Sequence, residues 1–135
     1  MSTRCVINFT HGTEVVAKVY RHCDGYPDSE HGVLADLDRF FAAVEAQTPD
    51  TRFGDPSYLA AKYVVWQAGE NARYEEGEIK PLAFLSLGAF LSLGILMRDP
   101  GDIEYRYKVD CQGREVRPTV TWESEDEAVE EADHA

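Results

Sequence analysis

Ile103-Glu104-Tyr105-Arg106-Tyr107-Lys108-Val109-Asp110-Cys111 is the stretch that decides the fold. Apolar or aromatic residues hold every odd position and charged residues every even one. Successive side chains of a strand point to opposite faces, so this stretch is a strand with one dry and one charged face. Such strands belong to antiparallel sheets that are covered on one side and wet on the other. Asp99-Pro100-Gly101-Asp102 turns the chain into this strand, and Gln112-Gly113-Arg114 turns it out again. Val116 to Trp122 reads as a last strand, with Pro118 placing it at an edge because proline cannot donate to a ladder.

The same period recurs at the N-terminus. Arg4 to Thr10 alternates, with Cys5, Ile7 and Phe9 on one face and Val6, Asn8 and Thr10 on the other. His11-Gly12-Thr13 is a turn, and Glu14 to His22 resumes the pattern, which makes a β-hairpin. In its second strand Val15, Ala17 and Val19 share a face opposite Val16, Lys18, Tyr20 and His22.

The period then changes. Val33, Leu34, Leu37, Phe40, Phe41 and Val44 form the apolar stripe of an amphipathic helix, with Asp36, Asp38, Arg39 and Glu45 assigned to its polar side. Asp28 or Ser29 is the expected cap. Asp55-Pro56 starts a second helix, Asp55 capping and Pro56 at the first helical position. From Tyr58 to Ala68 that helix is apolar nearly all round, so it is expected between the sheet and either the first helix or a second subunit.

Gly69 to Lys80 reads as a charged loop or lid. A tandem repeat follows: Phe84-Leu85-Ser86-Leu87-Gly88-Ala89, then Phe90-Leu91-Ser92-Leu93-Gly94-Ile95, five of six positions identical. An even period keeps each residue on its own face, so either copy suits the same strand, and the second is expected in the sheet. The element order is therefore β-β-α-α-β-β-β. It predicts an α+β fold, an antiparallel sheet of about five strands with two helices packed on one face. Residues 1–122 form the domain and residues 123–135 an acidic tail.

Bulk properties exclude several classes of function. The 135-residue chain is 44% apolar, enough for one core. Its net charge is -12, and seven of its acidic residues lie in the last thirteen positions, leaving 18 acidic against 13 basic residues in the body. That field repels a phosphate backbone and favours a partner with a basic surface, so no nucleic acid is expected. Cys5, Cys23 and Cys111 show no CxxC spacing and no apolar leader precedes them, which predicts reduced thiols in the cytoplasm. The apolar run Pro81 to Met97 is shorter than the ~20 residues a spanning helix needs, so no membrane is expected. No P-loop, GxGxxG or GxSxG motif occurs, and the histidines lack metal-ligand spacing, so no cofactor or structural metal is predicted.

The densest group of polar side chains is Arg21-His22-Cys23-Asp24, inside Val19-Tyr20-Arg21-His22-Cys23-Asp24-Gly25-Tyr26-Pro27. This segment resembles a group of small bacterial and phage-encoded proteins whose second strand ends in Val-Tyr-Arg-His-Trp-Asp-Gly-Tyr-Pro. Those proteins close with a strand similar to Asp102-Ile103-Glu104-Tyr105-Arg106-Tyr107. Cys23 stands where their pattern carries Trp. The resemblance implies a bacterial or phage accessory protein and brings no chemistry with it.

Two functions remain open on the residues. One is a non-enzymatic binding module centred on Arg21, His22, Asp24 and Tyr26, with a protein partner or a second copy as its target and a small ligand as an option. The other is a small enzyme in which His22 and Asp24 do acid–base work and Arg21 clamps a phosphorylated or nucleotide ligand. The simpler assignments run beside these. Asp24-Gly25 is a strong turn signal, and tyrosines in strands most often pack. Cys23 and His22 point to opposite faces of an extended chain.

Overall fold

The computed structural model describes residues 3–72, 93–98 and 100–125. Five strands and two helices follow the order β1 (Cys5–His11), β2 (Glu14–Arg21), α1 (Val33–Gln47), α2 (Pro56–Ala72), β3 (Leu93–Leu96), β4 (Tyr105–Asp110) and β5 (Thr119–Ser124). The fold is α+β. One five-stranded sheet runs β3-β2-β1-β4-β5. Three of its four pairings are antiparallel and one, β1 with β4, is parallel, in register from Cys5↔Tyr105 to Thr10↔Asp110. Alternation tells which face a residue occupies but not which way the neighbouring strand runs. The parallel pair was therefore not legible in the strict pattern of β4. Residues 102–104, just before β4, clasp the start of β1: Glu104 N–H donates to Arg4 O at 3.0 Å, and the Asp102 carboxylate takes the Arg4 guanidinium.

The dry face carries the core. Cys5, Ile7 and Phe9 of β1, Val19 of β2, and Tyr107 and Val109 of β4 meet Val33, Leu37, Phe40, Phe41 and Val44 of α1 and Leu59, Ala60 and Tyr63 of α2. The stripe read in α1 is thus the buried one. Phe40 sits at the centre of an aromatic lattice, 5.4 Å edge-on to Tyr63 and 5.7 Å from both Phe41 and Trp66. Truncating a ring so placed to Ala costs about 3–5 kcal/mol. A register shift between Phe9 and Thr10 marks a bulge, after which Val15 is exposed rather than packed.

Three local details differ from the sequence reading, and one, at Phe53, adds to it. The α1 cap is Gly32, without a side-chain bond, because residues 28–31 form a turn before the helix begins. Asp36 is not on the polar side of α1 but 7% exposed in the interior. Phe53, in the turn-rich stretch after α1, is buried edge-on to Phe41. The last strand starts at Thr119 and runs to Ser124, so Glu123 and Ser124 belong to the sheet. The Asp55 cap is present, its carboxylate accepting from Tyr58 N–H at 3.3 Å. Of the tandem repeat, Leu93, Gly94 and Ile95 of the second copy lie in β3, and the first copy lies outside the described residues. The expected loop from Gly69 to Lys80 begins later than its sequence suggests, since α2 continues through Ala72; positions 73–80 and 126–135 lie outside the described residues. Among the described residues no helix is long and apolar enough to cross a membrane.

Candidate functional site

The segment joining β2 to α1 holds every residue singled out from the sequence, and it sends them in different directions. Arg21 is the last residue of β2 and shares the dry face with Val19, two positions earlier. It is 8% exposed, and its guanidinium ends at a polar cluster between the sheet and the two helices. Nη1 donates to Asp36 Oδ2 at 2.7 Å and to the Tyr63 hydroxyl at 3.1 Å; Nε donates to Cys23 O at 3.0 Å and Nη2 to His31 O at 3.1 Å. Asp36 Oδ2 also accepts from Tyr63 O–H at 3.2 Å and from the Gln67 amide, while its Oδ1 takes Arg39 at 3.3 Å. All three guanidinium nitrogens of Arg21 donate inside the protein. Burial alone would lower its pKa, but Tyr63 and Asp36 outweigh burial and raise it. The same burial pushes the Tyr63 phenol well above its ordinary value.

A buried cation tied to one carboxylate and two carbonyls is a pin. It fastens the end of β2 to α1 through Asp36, to α2 through Tyr63 and Gln67, and to the connecting loop through Cys23 and His31. The sequence placed Arg21 among the ligand-binding candidates; in the structure it is buried, with its guanidinium bonded to Asp36, Tyr63, Cys23 and His31.

His22 points to the opposite, open face of the sheet, where its Nδ1 and the Tyr20 hydroxyl share a 2.8 Å hydrogen bond. Asp24 is exposed, with φ of 55° in the left-handed region that Asp tolerates, and it accepts from the Tyr26 hydroxyl at 2.9 Å rather than from backbone amides. Gly25 is where the turn is forced. Its N–H donates to Thr3 O at 2.9 Å, its carbonyl accepts from the buried Tyr107 hydroxyl at 2.6 Å, and a Cβ there would stand 2.8 Å from Thr3 O. Tyr26 O then receives Val33 N–H, which launches α1. His22 pairs with Tyr20, Asp24 with Tyr26, and Arg21 with the interior. The three do not converge, and neither His22 nor Asp24 lines any of the three described cavities. His11 lies at the far end of the hairpin from His22.

The cavities lie elsewhere. On the open face a groove of about 430 Å³ is lined by Asn8, Thr10, Arg106, Lys108, Thr121 and Glu123. Near the start of α2 a polar hollow of about 300 Å³ is bounded by Arg52, Asp55 and Arg114. Asp50 pairs with both of those arginines, at 3.2 and 3.7 Å. Between the outer sides of α1 and α2 runs an apolar groove of about 490 Å³ formed by Phe40, Ala43, Val44, Ala61, Val65 and Trp66, with Gln47, Thr48 and Lys62 at its rim. Val65 is 71% exposed there and Tyr58, on the same helix, 51%. The near-continuous apolar surface of α2 was the sequence signal for this groove. One side of the helix covers β1 and β2, and another has nothing over it among the described residues.

No family model, no curated protein and no solved structure matches this chain. The functional reading therefore rests on the geometry.

Proposed function

We propose that this protein is a non-enzymatic binding module that engages a protein partner, a second copy of itself included, through the groove between α1 and α2. The observation that supports this is the groove's chemistry: an open trough walled by Phe40, Val44, Val65 and Trp66, with Val65 71% exposed. Exposed apolar surface of this kind lowers its free energy when another apolar surface covers it. Helix-in-groove recognition uses troughs of this shape. The contact centre moves from the Arg21–Tyr26 loop to the helices because Arg21 is buried, with all three guanidinium nitrogens donating inside the protein. The acid–base alternative gains no cleft from the positions of His22 and Asp24.

Photo-crosslinking tests the reading. A photoreactive side chain at Val65 is expected to trap a partner, or a second copy, in lysate of the source cells. Val65→Glu is expected to abolish capture of that same species while leaving the urea midpoint unchanged. Capture that survives Val65→Glu refutes the reading.

A further inference from the structure

We propose that the hollow near the start of α2 binds a small phosphate-bearing ligand between Arg52 and Arg114. Its volume is about 300 Å³, and Arg52, Gly54, Asp55, Gln112, Gly113 and Arg114 line it, with no apolar side chain among them. That volume stands at the small end of the ~300–1,000 Å³ of ligand sites.

Two loops from distant parts of the chain build the hollow. Thr51 Oγ1 donates to Arg114 O at 2.8 Å, and a Cβ on Gly54 would stand 3.0 Å from Arg114 N, so the loops touch at that glycine. Arg52 has φ of 58°, in the left-handed region where glycine is at ease and a side chain is strained. The chain nevertheless carries an arginine there, with its guanidinium carbon 4.9 Å from the centroid of the Tyr58 ring. Stacking on a ring fixes the plane of the guanidinium.

The carboxylates nearby leave the arginines open. Asp50 approaches both through Nε, Arg52 at 3.2 Å and Arg114 at 3.7 Å, and it does not line the hollow. These contacts show two guanidiniums sharing one oxyanion. Asp55 does line the hollow, but its Oδ1 accepts from the Ser57 hydroxyl at 3.1 Å and from Tyr58 N–H at 3.3 Å. Neither guanidinium donates a hydrogen bond to a described residue, whereas Arg4, Arg21, Arg39, Arg106 and Arg117 each donate to a carboxylate. The terminal nitrogens of Arg52 and Arg114 are therefore the open donors, in the fork geometry that phosphate oxygens accept. The net charge of -12 opposes an anion at long range, where salt screens it, while the arginine contacts act at short range. The hollow shares no lining residue with the helical groove and stands independent of it.

Amide chemical-shift titrations at about 0.15 M ionic strength test the site. Inorganic phosphate and glycerol 3-phosphate are each expected to saturate and to move the amides of residues 52–55 and 112–114; glycerol is expected to move none. Tighter binding of the ester marks an ester as the ligand, and tighter binding of the free ion marks phosphate itself. Arg52→Gln and Arg114→Gln are each expected to weaken binding about fivefold. Arg98→Gln, which removes the same charge from an exposed position beyond β3, is expected to leave binding unchanged. Arg52→Gly gives a second reading: it relieves the left-handed strain, so the urea midpoint is expected not to fall while binding weakens as in Arg52→Gln. Absence of saturation by both phosphates, or an equal loss in Arg98→Gln, overturns the proposal.

Discussion

Replacing Arg21 by Met removes the cation from the centre of the protein and leaves its partner behind. Asp36 is 7% exposed and would keep only the Tyr63 hydroxyl, the Gln67 amide and the rim contact from Arg39. Breaking a buried ion pair on one side costs about 3–5 kcal/mol because an uncompensated charge stays in the interior. The donors that remain put this case at the lower end, about 3 kcal/mol. For a domain of this size that is a fall in Tm of about 9–15 °C. The double variant Arg21→Met with Asp36→Leu removes both charges. It is expected within about 1 kcal/mol of the wild type, since apolar replacement of a whole buried pair is often close to neutral. Urea titration followed by circular dichroism reads both quantities, and the double-mutant cycle then shows a coupling of about 2 kcal/mol or more. An Arg21→Met variant within about 0.5 kcal/mol of the wild type would refute the pin, because a change of that size belongs to an exposed side chain.

Three further outcomes follow from individual contacts. Hydrogen bonding from Arg117 holds the Glu45 carboxyl below its ordinary range, so the tie contributes fully above the unfolded value near ~4.3 and is lost as pH falls through the lower folded value. The Tm gap between the wild type and Glu45→Gln is therefore expected to narrow from pH 7 to pH 3, and a constant gap contradicts the assignment. Burial pushes the Cys5 and Cys111 thiols up to about 12 while Cys23 is exposed, so one of the three thiols should react with a disulfide reagent in the native protein and the other two only on unfolding. Gly25→Ala brings a methyl group into Thr3 O and the Cys5 Cβ and is expected to cost about 1–3 kcal/mol, read as a lower urea midpoint.

Much of this architecture is legible in the residues, and the reasons are local. The period-two pattern of Ile103 to Cys111 and the stripe from Val33 to Val44 each report which face is dry, and the structure buries those faces. Asp55-Pro56 announces the start of α2 because a cap and a fixed φ are properties of two adjacent residues. The parallel β1–β4 pair was hidden because strand direction is set by the connection, not by the strand. Arg21 and Asp36 were hidden for a different reason: each looks solvated until its partner fifteen residues away is known. One signal was present. Asp36 stands about 40° from Phe40 around the helix, at the border of the apolar stripe rather than opposite it. The open groove was half legible, since the apolar width of α2 exceeds what one sheet can cover, but the sequence alone does not say which side stays bare.

The most direct test of the account compares two surfaces of the same molecule. Val65→Glu alters the groove at a residue that is 71% exposed, and His22→Ala with Asp24→Ala alters the joint between β2 and α1. Both proteins are first checked for an unchanged fold by circular dichroism, and each is then assayed for capture of the species trapped by the wild type. The account predicts that Val65→Glu loses the captured species and that the His22 and Asp24 variant keeps it. Loss of capture in the His22 and Asp24 variant, with Val65→Glu unaffected, would contradict it.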